Sequence, residues 1–312
     1  MERLVMRKRI LSIILAGTMI LSVTACGGKS ENIDKSGSSE QSTAEESQNE
    51  ESEKEEDTGE ITFEELTVVD NEYCKIVLTG IEPDNIWGYT IKAMMENKTA
   101  DKTYMYSVES ASVNGVQVEP FFATEISAGK KSNEEITISD DSLEANGIEK
   151  FTDIELSFHV YNSEEWGEEA AANETVHIYP YGEENAASFV REPQGTDNVI
   201  VDNEFVSIIV IGSETDEYGD FLIKLFIQNK SEYDLMASED NASLNGYMAD
   251  PFWASSVKAG KCKFSELSWF ASDLEANDIT EVTDAEFNIR VYKYDYDYTE
   301  GYIVDQVISL QF

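Results

Sequence analysis

The sequence predicts an all-β protein made of two tandem antiparallel β-sandwiches, residues 61–180 and 196–312. Three observations predict it. Apolar and polar residues alternate with period 2, Asn-Gly pairs separate short apolar runs, and most of the folded region is written twice.

The duplication is read directly from the residues. Val69-Asp70-Asn71-Glu72-Tyr73 matches Val201-Asp202-Asn203-Glu204-Phe205, and Asn97-Lys98 matches Asn229-Lys230, both at an offset of 132. After a one-residue slip, Ala111-Ser112-Val113-Asn114-Gly115 matches Ala242-Ser243-Leu244-Asn245-Gly246. Pro120-Phe121-Phe122-Ala123 then matches Pro251-Phe252-Trp253-Ala254, and Leu143-Glu144-Ala145-Asn146 matches Leu274-Glu275-Ala276-Asn277. A period this long means two complete domains and not a solenoid.

The strands follow from the alternation. Ile91, Ala93 and Met95 in copy 1, and Ile223, Leu225 and Ile227 in copy 2, point to one face. Leu156, Phe158 and Val160 do the same, as do Phe287, Ile289 and Val291. Asn114-Gly115 and Asn245-Gly246 predict two-residue hairpins with positive φ. Leu143–Asn146 and Leu274–Asn277 each suggest one helical turn at a sheet corner. About seven short strands per copy, without a βαβ rhythm, argue for sandwiches of the immunoglobulin-like kind. Cys74 and Cys262 fall in different copies at non-equivalent positions, which predicts two free thiols and no pinning disulfide.

The N-terminus reads as an address. Arg3, Arg7, Lys8 and Arg9 precede an apolar run, Ile10 to Val23, that is short for a membrane span. It ends in Val23-Thr24-Ala25-Cys26-Gly27-Gly28, which resembles a bacterial lipoprotein signal. The resemblance implies cleavage after Ala25, a diacylglyceryl thioether on Cys26 and an N-terminus acylated or left free. Residues 1–25 are thus the signal peptide. Residues 26–60 are the lipidated cysteine and an acidic linker, with Ile33 as its one large aliphatic residue. Such a segment cannot offset its ordering entropy and is expected to be a disordered tether. Residues 181–195 are expected to link the two sandwiches.

Signal, acidic Ser/Glu-rich tether and disulfide-free immunoglobulin-like repeats together resemble the surface lipoproteins of Gram-positive bacteria. The Asn-Lys pair after the central strand is similar to the asparagine that ends that strand in those domains. The resemblance implies display on the outer face of the cell membrane through the lipid anchor, and a binding or structural role. It carries over no catalytic residue.

Charge narrows the partners. The chain has 22 basic and 63 acidic residues, a formal net charge of −41. The leader carries +3 (four basic, one acidic) and residues 27–60 carry −9 (three Lys, twelve carboxylates), which leaves −35 for residues 61–312. No basic footprint exists to displace phosphate counterions, so nucleic acid is excluded as a partner. Catalytic signatures are missing. The two histidines, His159 and His177, read as ordinary strand residues, and no phosphate loop, zinc spacing or Cys-x-x-Cys occurs. The expectation is no enzyme and no cofactor. Calcium is the one candidate ion, through Asp295 and Asp297 or through Glu214, Asp216, Glu217 and Asp220, although the Asp-x-Asp-x-Asp-Gly loop is lacking.

The candidate contact surface is aromatic. After Val291 the apolar parity flips to Tyr292, Tyr294, Tyr296 and Tyr298. If the strand continues without a bulge, Tyr294, Tyr296 and Tyr298 form an outward row suited to a protein or glycan ligand; a bulge would return them to the core. The expected function is a non-enzymatic binding or adhesion module. An assembly accessory for a neighbouring membrane protein is the alternative, and a hydrolase the third.

Overall fold

The structure, a computed structural model, describes residues 59–139, 141–165, 167–251, 253–295 and 301–312. The signal peptide, Cys26 and all but the end of the tether lie outside the described residues, as do Tyr296, Asp297 and Tyr298.

Copy 1 comprises β1 (Leu66–Asp70), β2 (Cys74–Asn85), β3 (Gly88–Asn97), β4 (Tyr104–Val113), β5 (Val116–Val118), β6 (Ala123–Ile126), β7 (Lys131–Ile138), the short helix α1 (Asp141–Ala145), β8 (Ile154–Asn162) and β9 (Ala172–Ile178). Copy 2 repeats the order as β10 (Asn198–Asp202), β11 (Val206–Thr215), β12 (Phe221–Asn229), β13 (Leu235–Leu244), β14 (Tyr247–Met248), β15 (Ala254–Val257), β16 (Cys262–Trp269), α2 (Ala271–Ala276), β17 (Asp284–Lys293) and β18 (Val304–Gln311). In copy 1 one sheet runs β1-β2-β3-β7 and the facing one places β4 between β5 and β8, with β9 beyond. Copy 2 has the matching sheets β10-β11-β12-β16 and β14-β13-β17-β18. Setting aside the added edge strands β1 and β10, this is the ABE/CFG division of an immunoglobulin-like sandwich.

The alternation read from the sequence is the alternation that packs. Along β8, Ile154, Leu156, Phe158 and Val160 are buried between half-buried neighbours. Copy 2 has its own core, with Trp269, Phe287, Ile223 and Leu225 sealed from solvent. The hairpin asparagines take the left-handed backbone that a type I′ turn requires, Asn114 at φ 52° and Asn245 at φ 49°. Cys74 and Cys262 are free and buried. Burial pushes each thiol up to about 11, so neither is a nucleophile near neutrality.

The repeated signature residues turn out to be structural. Asn71 and Asn203 accept hydrogen bonds from the backbone N–H two and three residues on, closing matched turns. Lys98 and Lys230 pair with Asp70 and Asp202. Asn114 Oδ1 accepts from the Thr152 N–H and hydroxyl, and Asn245 Oδ1 from those of Thr283. Asn97 and Asn229 are fully buried and tie the turn after the central strand to the opposite sheet.

One alternation breaks, and it marks where the copies meet. β12 buries Phe226 as well as its core-facing Leu225 and Ile227. Ile209, Phe226 and Phe264 stand side by side across β11, β12 and β16, on the face turned away from the core of copy 2. They pack instead with the apolar cluster of copy 1. Phe189 caps the row edge-on, its ring centroid 6.3 Å from Phe226 and 5.9 Å from Phe264. At the sheet edges β16 pairs with β5 in parallel at Cys262 and Val116, and the Cys262 N–H donates to the Gly115 carbonyl at 3.2 Å. A nine-stranded sheet thereby runs through both copies. The expected linker 181–195 lies along this junction: the Phe189 N–H donates to the Asn114 carbonyl at 2.7 Å, and Arg191 grips Asp197 with two hydrogen bonds.

Candidate functional site

Beside the junction the copies enclose a groove of about 510 Å³. Copy 1 contributes a β4 bulge at Val108–Ser110 and the turn from Gln117 to Ala123; copy 2 contributes Asp234, Ser256–Lys258 and Tyr294.

The groove has a fixed floor. The Gln117 side-chain amide donates to the Ser256 carbonyl at 3.1 Å and accepts from the Lys258 N–H at 2.8 Å, bridging two strand edges as a peptide group would. Lys263 pairs with Glu119 at 2.6 Å, and Lys261 with Glu155 at 2.9 Å. Glu155 also takes Nε2 of His177 at 3.2 Å, while His177 Nδ1 lies 2.7 Å from Asp153. His177 thus sits between two carboxylates near the junction, and the His159 ring lies tilted against Tyr161 at 5.0 Å on the outer face of β8.

Two aromatic rings stand over this floor. Phe121 is fully exposed at 107%, between buried Pro120 and half-buried Phe122. Tyr294 is 58% exposed. Single exposed apolar residues are ordinary, but two large rings lining one groove form a contact surface.

No family model matches the chain, and no curated relative does. Among solved structures, red sea bream transglutaminase is similar at 9% identity and a TM-score of 0.20, covering 78% of this chain and 31% of that one. The chain therefore spans under a third of that protein's length, and a likeness at this TM-score carries no argument.

Only the start of the expected tyrosine row lies within the described residues. β17 ends at Lys293, and one further bond in the β13–β17 register, from the Tyr294 N–H to the Asp234 carbonyl at 2.8 Å, closes the ladder before the chain turns. Tyr294 and Asp295 lie in a turn, so Tyr294 reaches the groove from a loop, and Asp295 is not on a strand face. Tyr296, Tyr298 and Asp297 fall outside the described residues. Tyr292, on the outer face of β17, meets the ring of Tyr302 at 5.9 Å.

The acidic hairpin weighed for calcium is internally engaged. Asp216 accepts from the Tyr218 and Asp220 N–H groups, Asp220 from the Ala271 N–H, and Glu214 pairs with Lys224. Among the described residues no group of three or more His, Cys, Asp or Glu converges on a metal position.

Phe121 is the residue that reading from sequence passed over. It lies inside the repeated Pro-Phe-Phe-Ala motif, which served only as evidence of duplication. In copy 2 the motif's second aromatic, Trp253, is an internal anchor that donates from Nε1 to Ser265 Oγ. The Val108 position of the groove is taken in copy 2 by Glu239, half-buried on β13. Burial pushes the Glu239 carboxyl up to about 7, with Asp250 and Asp240 adding to the rise. A carboxyl raised in the folded state contributes stability that is full at low pH and lost as pH rises through about 7. Glu239→Gln is therefore expected to leave urea stability unchanged near pH ~4 and to raise it by about 1 kcal/mol near pH ~8, allowing for solvent screening. Equal shifts at both pH values would contradict this.

Proposed function

We propose that the chain is a non-enzymatic binding module displayed on the outer face of a cell membrane through a lipid on Cys26. Its ligand contact is the groove between the sandwiches. The observation that carries this reading is Phe121, a large ring left in solvent that lines one groove together with Tyr294. Rigid aromatic side chains give contact area at low rotamer cost. A volume of about 510 Å³ lies within the roughly 300–1,000 Å³ of small-ligand sites, which suits a short protein segment or a few sugar rings.

The test combines proximity labelling with a glycan array, using wild-type chain and the Phe121→Ser/Tyr294→Ser double variant. Both rings are exposed, so stability is expected to change by under about 0.5 kcal/mol. Ligand capture is expected to fall by at least about tenfold, since each lost ring contact is worth about 1 kcal/mol or more. Undiminished capture by a folded double variant would remove the groove from the account. The anchor has its own check. Mass spectrometry is expected to find a diacylglyceryl group on Cys26, and an unmodified thiol there would contradict it.

A further inference from the structure

We infer that the groove takes a basic polypeptide segment, with lysine or arginine side chains laid across Phe121 and Tyr294. The inference rests on reading the groove as the binding site and goes on to name its ligand class.

The charges along the groove are lopsided. Glu109, Glu119 and Asp234 line it; Lys258 holds Asp234 at 2.7 Å and Lys263 holds Glu119 at 2.6 Å, so three carboxylates face two cations. Glu109 stands largely free in solvent, with His159 Nδ1 at 3.8 Å. The two exposed rings complete the fit. A lysine or arginine stem packs along an aromatic face, and its cation is attracted to the ring quadrupole.

The same groups disfavour the alternatives. A neutral glycan finds no free amide, because Gln117 is spent on Ser256 and Lys258, and although its hydroxyls could donate to the carboxylates it gains nothing from the field of charge. Anionic polymers meet both the local carboxylates and the −35 carried by residues 61–312. A cationic segment is drawn in by the whole field and then held by the rings.

The test uses the full chain in detergent and a fluorescein-labelled nine-residue probe with lysine at every third position among glycine and serine. Fluorescence anisotropy is read at about 50 mM and about 300 mM NaCl. The probe is expected to bind, and to bind more weakly at the higher salt. Glu109→Gln/Glu119→Gln is expected to weaken it by about fivefold or more, and Phe121→Ser by a similar factor. Glu214→Gln/Glu217→Gln removes equal charge from the β11–β12 hairpin and is expected to change affinity by under about twofold. A lysine-to-glutamine probe and chitohexaose are expected not to compete. If the hairpin pair weakens binding as much as the groove pair, the attraction is non-specific and the inference falls. If chitohexaose binds the wild type in a Phe121-dependent way and the basic probe does not, the ligand class is wrong while the binding groove stands. If neither binds and capture in the labelling experiment ignores Phe121, the groove itself is wrong.

Discussion

Replacing Asn229 with alanine is expected to lower the unfolding free energy by about 4 kcal/mol, a large share of the roughly 5–15 kcal/mol that holds a typical domain. The side chain is 1% exposed. Its Nδ2 donates to the carbonyls of Tyr233 at 2.7 Å and Val257 at 2.9 Å, and its Oδ1 accepts from the N–H and hydroxyl of Ser231. Alanine leaves these buried backbone groups without partners, each at a cost of about 1–3 kcal/mol. Asn229→Asp separates hydrogen bonding from volume. An ionised aspartate accepts but cannot donate, so it is expected to be at least as damaging near neutral pH. Asn97 makes the equivalent bonds to Lys102, Ile126 and Thr99, and its substitution is expected to weaken copy 1 in the same way. Urea titration checks all three; a loss under about 1 kcal/mol would mean that water readily replaces the asparagine.

Phe226→Ala is expected to cost about 3 kcal/mol and to change the form of unfolding as well as its midpoint. The ring lies 5.2 Å from Phe264 and 6.3 Å from Phe189, with the Arg191 guanidinium 5.7 Å away. Removing it empties the contact that joins copy 2 to the apolar cluster of copy 1. The wild-type chain is expected to unfold in one transition, and the variant in two, with early proteolytic cleavage between residues 186 and 195. Leu225→Ala, one residue away and facing the core of copy 2, is expected to destabilise comparably without freeing that segment. Identical behaviour of the two variants would show that Phe226 serves only its own domain.

Much of the fold was legible because sandwich strands advertise themselves by parity. Leu156, Phe158 and Val160 point inward as their alternation requires, and the Asn-Gly pairs turn where positive φ is needed. The junction was harder to read. Ile209, Phe226 and Phe264 look like surplus apolar residues on a solvent face, and periodicity within copy 2 gives them no purpose. The readable signal was the comparison of copies, since Phe226 and Phe264 replace Met94 and Asn133. The end of β17 carries no such signal. No glycine or proline marks the turn that follows Lys293, and the last rung, from the Tyr294 N–H to the Asp234 carbonyl, keeps the β13–β17 register. The groove needed both copies in position and could not be read from either alone.

The groove exists only between the two sandwiches, so it requires that they be locked into one body. The most direct measurement is a spin-label distance distribution between Glu174→Cys on β9 and Glu286→Cys on β17, with Cys26 replaced by serine. Both positions are exposed, whereas Cys74 and Cys262 are buried and stay unlabelled. A single narrow distance that broadens in Phe226→Ala is the predicted result. A broad distribution in the otherwise native chain, unchanged by Phe226→Ala, would mean that the copies move independently and that no fixed groove is present to bind anything.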